Sequence, residues 1–185
     1  MAYFNPKYYR YGIGPKFESR IIANSQVITT GGLVNLVSGF IDGADAGERI
    51  FGLVMGIHGS LTTADGVPLD LLSSANDYDG TYVPGVIGTQ KYTASADNQT
   101  DKKIEAQIDI APDLVMSNEP DAAIGTTAGS ELAGNFTDIV SDVQVDENNA
   151  AAAFTTIAQM IIFGLDPDNS AFGLYGFMEK QDWGG

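Results

Sequence analysis

The chain has no cysteine, a single histidine and only nine lysines and arginines in 185 residues. Without cysteine there is no disulfide framework, no zinc–thiolate site and no thiol nucleophile. A small secreted domain stapled by disulfides is therefore not expected. The one histidine, His58, has no second imidazole with which to share a metal ion, and no G-x-S-x-G elbow displays a serine for it to activate. It reads as a structural residue near a strand end. Long apolar runs are also missing. Met1–Pro6 lacks the core of a secretion signal, and no later stretch is long enough to cross a bilayer as a helix. The expectation is a protein made in a cytoplasm that does not leave by the general secretory route and has no membrane partner.

Positive charge is scarce and unevenly placed. Twenty-four acids against nine bases give a net charge of −15. Lys7, Arg10, Lys16 and Arg20 are four of those nine bases, with only Glu18 opposing them in the first twenty residues, whereas Ile104 to Glu179 contain no lysine or arginine. Such a body repels a phosphate backbone, so no nucleic-acid partner is expected for it. The carboxylates invite a test for calcium. The stretch from Asp166 starts like an EF-hand loop, but Ala171 stands where glycine is needed and Phe177 where the bidentate glutamate belongs. Asp97–Asp101 fails as well. No phosphate-binding glycine loop is present. The sequons at Asn98 and Asn135 have no consequence without secretion. No metal, cofactor or catalytic residue is assigned.

The 22 glycines, the low charged fraction of 18% and the repeated short apolar runs predict an all-β fold, a β-barrel or β-sandwich with at most one or two short helices. Gln26–Thr29 and Leu33–Val37 flank the Gly31-Gly32 pair. Ile50–Ile57 is a continuous apolar run whose Gly52 and Gly56 suit a buried strand with close backbone approach better than a helix. Lys103–Ile110 alternates polar and apolar residues cleanly, as a half-buried strand does, and Pro112 ends it. Further strands are expected in 67–87, over Phe136–Val145 and over Phe172–Met178. Residues 117–135 read as a long loop. A helical turn around Ala150–Ala153 followed by a strand is expected in 147–163, and Asp166–Asn169 is a turn.

Residues 1–20 differ in composition from the rest. Tyr3, Phe4, Tyr8, Tyr9, Tyr11 and Phe17 are interleaved with Lys7, Arg10 and Lys16 and broken by Pro6, Gly12, Gly14 and Pro15, with neither structural period sustained. Two readings follow: an N-terminal strand whose rings cover the core, or an extended arm lying on a neighbour. The domain division adopted is an extended N-terminal arm over 1–20 and one β-rich domain over 21–185. Tyr3, Phe4, Lys7, Tyr8, Tyr9, Arg10 and Tyr11 are its partner-binding residues, since tyrosine and arginine dominate interface anchors.

The passage GGLVNLVSGFIDGADAGERIFGLVMGI (Gly31–Ile57) resembles the opening of small capsid decoration, or cement, proteins of tailed phages. The tracts Tyr92–Ile110, Gly129–Val140 and Ile161–Asn169 likewise resemble phage head structural proteins. The likeness is one of style and order, with no diagnostic motif, and it does not extend to the arm. It implies a β-rich, non-catalytic virion protein on the outer surface of an assembled shell. Such proteins are often trimers, and they hold neighbouring major capsid protein subunits against internal pressure. The implied partners are the major capsid protein and further copies of the chain. The alternatives weighed beside it are a head-fibre or tail adhesin that binds host glycans, with calcium in some forms, and a cellular ligand-binding or enzymatic β-domain.

Overall fold

The computed structural model describes residues 3–59, 91–94, 96–101, 104–121, 134–151 and 159–177. Among these, the strands in chain order are β1 (Asn5–Tyr9), β2 (Phe17–Ile21), β3 (Val27–Thr29), β4 (Leu33–Val37), β5 (Phe40–Gly43), β6 (Gly52–Gly59) and β7 (Lys91–Thr93). A four-residue helix, α1 (Asn98–Asp101), precedes β8 (Ile104–Asp109), β9 (Leu114–Asn118), β10 (Phe136–Ser141), β11 (Gln144–Ala151), β12 (Met160–Asp166) and β13 (Asn169–Phe177). All strand pairs are antiparallel, and the chain is all-β as its composition predicts. The strands expected in 67–87 lie outside the described residues.

Two compact units are present. One comprises Lys16–Gly43 and Phe51–Ile110. Its main sheet has the order β2-β8-β6-β4-β5, with β3 and β7 forming a separate pair. The two edges of the main sheet meet: Ile22, one residue past β2, forms a parallel bridge with Ile41 of β5, and Ala23 N–H donates to Ile41 O at 2.8 Å. That contact closes five strands on themselves, the arrangement by which a small sheet removes its exposed edges. Ile22, Ile28, Val34, Ile41, Val54, Tyr92, Ile104 and Ile108 fill the interior. Gly52 explains how tightly the wall packs. A β-carbon there would stand 2.5 Å from Ile108 Cγ2 and 2.6 Å from Asp109 O, so the close backbone approach expected of the Ile50–Ile57 run is real. The β4–β5 hairpin turns through Ser38 and Gly39, both at positive φ (52° and 88°), as a two-residue hairpin requires.

The other unit comprises Met1–Pro15, Ala44–Ile50 and Ala111–Gly185. Its six-stranded sheet has the order β1-β9-β13-β12-β10-β11. It too bends round. Asn118, at the end of β9, donates to Val143 O at 3.0 Å and accepts from Val145 N–H at 3.1 Å, and Asp121 N–H donates to Val145 O. Strands β9 and β11 have three other strands between them in the order, so these bonds require the sheet to curl until its far margin reaches the end of β9.

Each unit therefore uses one fully buried asparagine to tie the end of its sheet. In the five-stranded unit it is Asn98. Its Nδ2 donates to Ile22 O (2.7 Å) and Ile104 O (3.2 Å), and its Oδ1 accepts from Ile104 N–H (3.1 Å). A side-chain amide carries the same donor and acceptor as a peptide group, so it satisfies strand ends that no further strand reaches. A third amide, Gln159, accepts from Ile139 N–H and donates to the carbonyls of Asp45 and Glu48, holding the 44–50 segment.

Three expectations are corrected. The extended arm is not what the described residues form: Asn5–Tyr9 is the edge strand β1, paired with β9 from Asn5↔Ser117 to Tyr9↔Leu114, and Phe17–Ile21 is β2, paired with β8. The reading as an N-terminal strand is the one the structure supports, because Phe4 is completely buried. Second, Ser117 and Asn118 belong to β9, not to a loop. All five residues of that strand are buried, so it shows no alternation to reveal it. Residues 122–133 of the expected loop lie outside the described residues. Third, Ala150 and Ala151 end strand β11 and do not start a helical turn. Residues 152–158 lie outside the described set.

Candidate interaction surface

The N-terminal residues singled out by sequence divide into anchors and exposed groups. Phe4 is core, while Tyr3 and Tyr9 are half-buried. Lys7 sits where the β1–β9 register slips, between Pro6 and Tyr8. Its ammonium lies 2.9 Å from Asp166 Oδ2 and 3.0 Å from Asp168 Oδ2. Asp166 is closed off further by the Ser117 hydroxyl, which donates to Oδ2, and by Asp168 N–H, which donates to Oδ1 at 2.9 Å. Burial pushes the Asp166 carboxyl up, but the Ser117 hydroxyl, the Asp168 N–H and Lys7 outweigh it and hold it below the ordinary carboxylate value. The hydrogen bonds to Asp166 and then Asp168 raise Lys7 in turn. With its folded pKa depressed, Asp166 contributes stability above the unfolded carboxylate range and loses it as pH falls through the folded value.

Arg10 is held by stacking. Its guanidinium carbon lies 4.8 Å from the Phe163 ring centroid and 5.1 Å from that of Tyr11. Phe163 packs closely against glycine: a β-carbon on Gly176 would meet Phe163 Cε2 at 2.5 Å. Phe163 thus touches Gly176, and the Arg10 guanidinium lies over the Phe163 and Tyr11 rings. The backbone is pinned at the same place, since Arg10 N–H donates to Asp113 O (2.9 Å) and Tyr11 N–H to Asp113 Oδ2 (3.1 Å).

What this support presents is aromatic and apolar. Tyr8 is 48% exposed, Tyr11 65% and Ile13 67%. Ile13 stands between Gly12 and Gly14, both at positive φ (68° and 81°), where a side chain would strain the backbone. Of the seven residues predicted to bind a partner, only Tyr8 and Tyr11 present large exposed apolar area. Ile13, the carboxylates that fix Lys7 and the Phe163–Gly176 support were not singled out. In the sequence, Asp166 and Asp168 read only as a turn and as a failed calcium loop.

Both sequon asparagines are buried, and Asn98 spends its amide within the fold. Among the described residues no group of three or more His, Asp and Glu side chains is placed to hold a metal ion. His58 lies opposite Glu105 in the β6–β8 pairing.

One carboxylate is costly. Asp138 of β10 lies directly opposite Asp146 of β11 and is 3% exposed. Burial raises its pKa and Asp146 adds to the rise, against the N–H groups of Ile139 (2.9 Å) and Gly47 (3.2 Å) that favour the anion. A carboxyl raised on folding destabilises the protein above its folded pKa, and the penalty fades as pH falls toward the unfolded value. Asp138→Asn keeps an oxygen for both N–H groups and removes the charge. Its melting temperature should exceed that of the parent at pH 7, and the gap should close by about pH 4. An equal or lower melting temperature at pH 7 would show that the anion is needed.

Compared with models of protein families, with curated proteins and with solved structures, the chain matches none.

Proposed function

We propose that the protein is a non-catalytic structural component of a virion, a decoration or cement protein that binds the outer surface of a phage capsid and stabilises contacts between major capsid protein subunits. One observation carries the adhesive part of this reading: Tyr8 and Tyr11 are displayed on a support already held by Lys7, Arg10, Asp113 and Asp166, with Ile13 exposed on the connection that follows. Exposed rings on a fixed backbone give contact area with little ordering cost on binding. The assignment to a virion is supported by the phage-like style of Gly31–Ile57 and the later tracts. The strong net negative charge favours solubility and keeps the surface from sticking to nucleic acid. Capsid subunits, copies of this chain and a location on the capsid exterior are the partners and place this reading implies.

The test is co-sedimentation of the purified protein with bare shells. Bound protein in a fixed ratio to capsid subunits is expected. The Tyr11→Ala/Ile13→Ala double variant should bind at least about tenfold more weakly, as removal of central anchors does. Wild-type protein left wholly in the supernatant would end the reading, and glycan binding by the same sample would favour an adhesin instead.

A further inference from the structure

The N-terminal strand has the construction of an exchangeable part. It is the first of the described elements and lies at one edge of its sheet, paired with a single neighbouring strand, β9. The residues that receive it form an acceptor opposite in charge to it. Asp166 and Asp168 take Lys7, Asp113 takes two backbone N–H groups through its carbonyl and carboxylate, and Phe163 takes Arg10. The connection that follows is unpacked. Gly12 and Gly14 have nothing within 4 Å of where a β-carbon would be, and Ile13 between them is two-thirds exposed. Gly12–Pro15 spans about 13 Å when extended, and Lys16, the next residue, belongs to the other unit.

We propose that residues 3–11 dock either on their own chain or on the same acceptor of a second copy, so that neighbouring copies exchange N-terminal strands. Every bond that β1 makes in one chain, including the Lys7 ion pairs and the Arg10 stack, is remade in the other. Only the glycine-rich hinge has to change its path. The balance between the closed and exchanged forms is then set by hinge geometry and local concentration. Copies held side by side would exchange more than free chains in dilute solution. An emptied acceptor leaves Asp166 and Asp168 without Lys7, which favours capture of an incoming β1 by charge as well as by strand pairing. The exchange does not depend on the virion reading, and its failure leaves that reading untouched.

The absence of native cysteine makes the test direct. Tyr8 and Val115 are paired across β1 and β9, and Val115 is fully buried. A tagged Tyr8→Cys chain and a differently tagged Val115→Cys chain are unfolded together, refolded at increasing concentration, oxidised and run without reductant. Exchange predicts a band linking the two tags that grows with concentration and exceeds by at least about tenfold the band from Tyr8→Cys with the exposed-site control Ala46→Cys. A band no stronger than the control at every concentration overturns the proposal. A second variant lacking Ile13 and Gly14 shortens the hinge, and if exchange occurs it should shift the refolded protein from monomer toward oligomer in light scattering. A folded monomer, or a chain that no longer folds at any concentration, would count against exchange.

Discussion

Asn98→Ala should cost about 3–5 kcal/mol, because it strands two buried backbone groups worth roughly 1–3 kcal/mol apiece. Asn118→Ala should cost about 1–3 kcal/mol, because of the two groups it releases only Val145 N–H is fully buried. In the first variant the orphans are Ile22 O and Ile104 N–H, and in the second they are Val143 O and Val145 N–H. Against a total stability of about 5–15 kcal/mol, either loss moves the urea midpoint toward zero. Aspartate at the same positions should be worse than alanine. It keeps the acceptor but sets a second carboxylate oxygen against a carbonyl that has lost its donor. If either alanine variant unfolds within about 1 kcal/mol of the parent, the amides do not tie the sheet ends.

Gly52→Ala should also be severe, costing about 3 kcal/mol or more, at the upper end of core overpacking. The added methyl meets a side-chain carbon of Ile108 and, at 2.6 Å, the carbonyl oxygen of Asp109. Ile108 can rotate away, but the carbonyl belongs to β8 and moves only if the β6–β8 pairing opens. That pairing runs from Leu53↔Asp109 to Gly59↔Ile104, so the strain falls on the longest ladder in this sheet. A thermal melt within 2 °C of the parent would contradict the packing described.

How far the sequence revealed this molecule follows from what each residue is asked to do. Strands β4, β6, β8 and β13 were legible because their apolar runs either alternate or are punctuated by glycine. The turn at Asp166–Asn169 was legible from Pro167 and its polar neighbours, and it closes the β12–β13 hairpin at Asp166↔Asn169. Strand β9 was hidden, since Ser117 and Asn118 look like loop residues until Asp166 and the ends of β11 are there to bond them. The closure of the five-stranded sheet depends on Ile22 and Ile41 meeting across nineteen positions, which no local pattern encodes. The N-terminus was ambiguous for a related reason. Its rings and cations look alike in sequence, yet Phe4 is core, Lys7 and Arg10 are anchors, and Tyr8, Tyr11 and Ile13 are surface. Long-range partners made that division, and those partners, Asp113, Phe163, Asp166 and Gly176, lie more than 100 residues downstream.

Amide hydrogen exchange at Arg10 and Tyr11 in the free protein asks most directly whether this segment is a fixed platform. Both amides donate to Asp113, so their exchange should be slowed on the order of 100-fold or more relative to an unstructured peptide. Exchange at the unstructured rate would mean that the segment is a loose arm, and the displayed surface built on it would be lost.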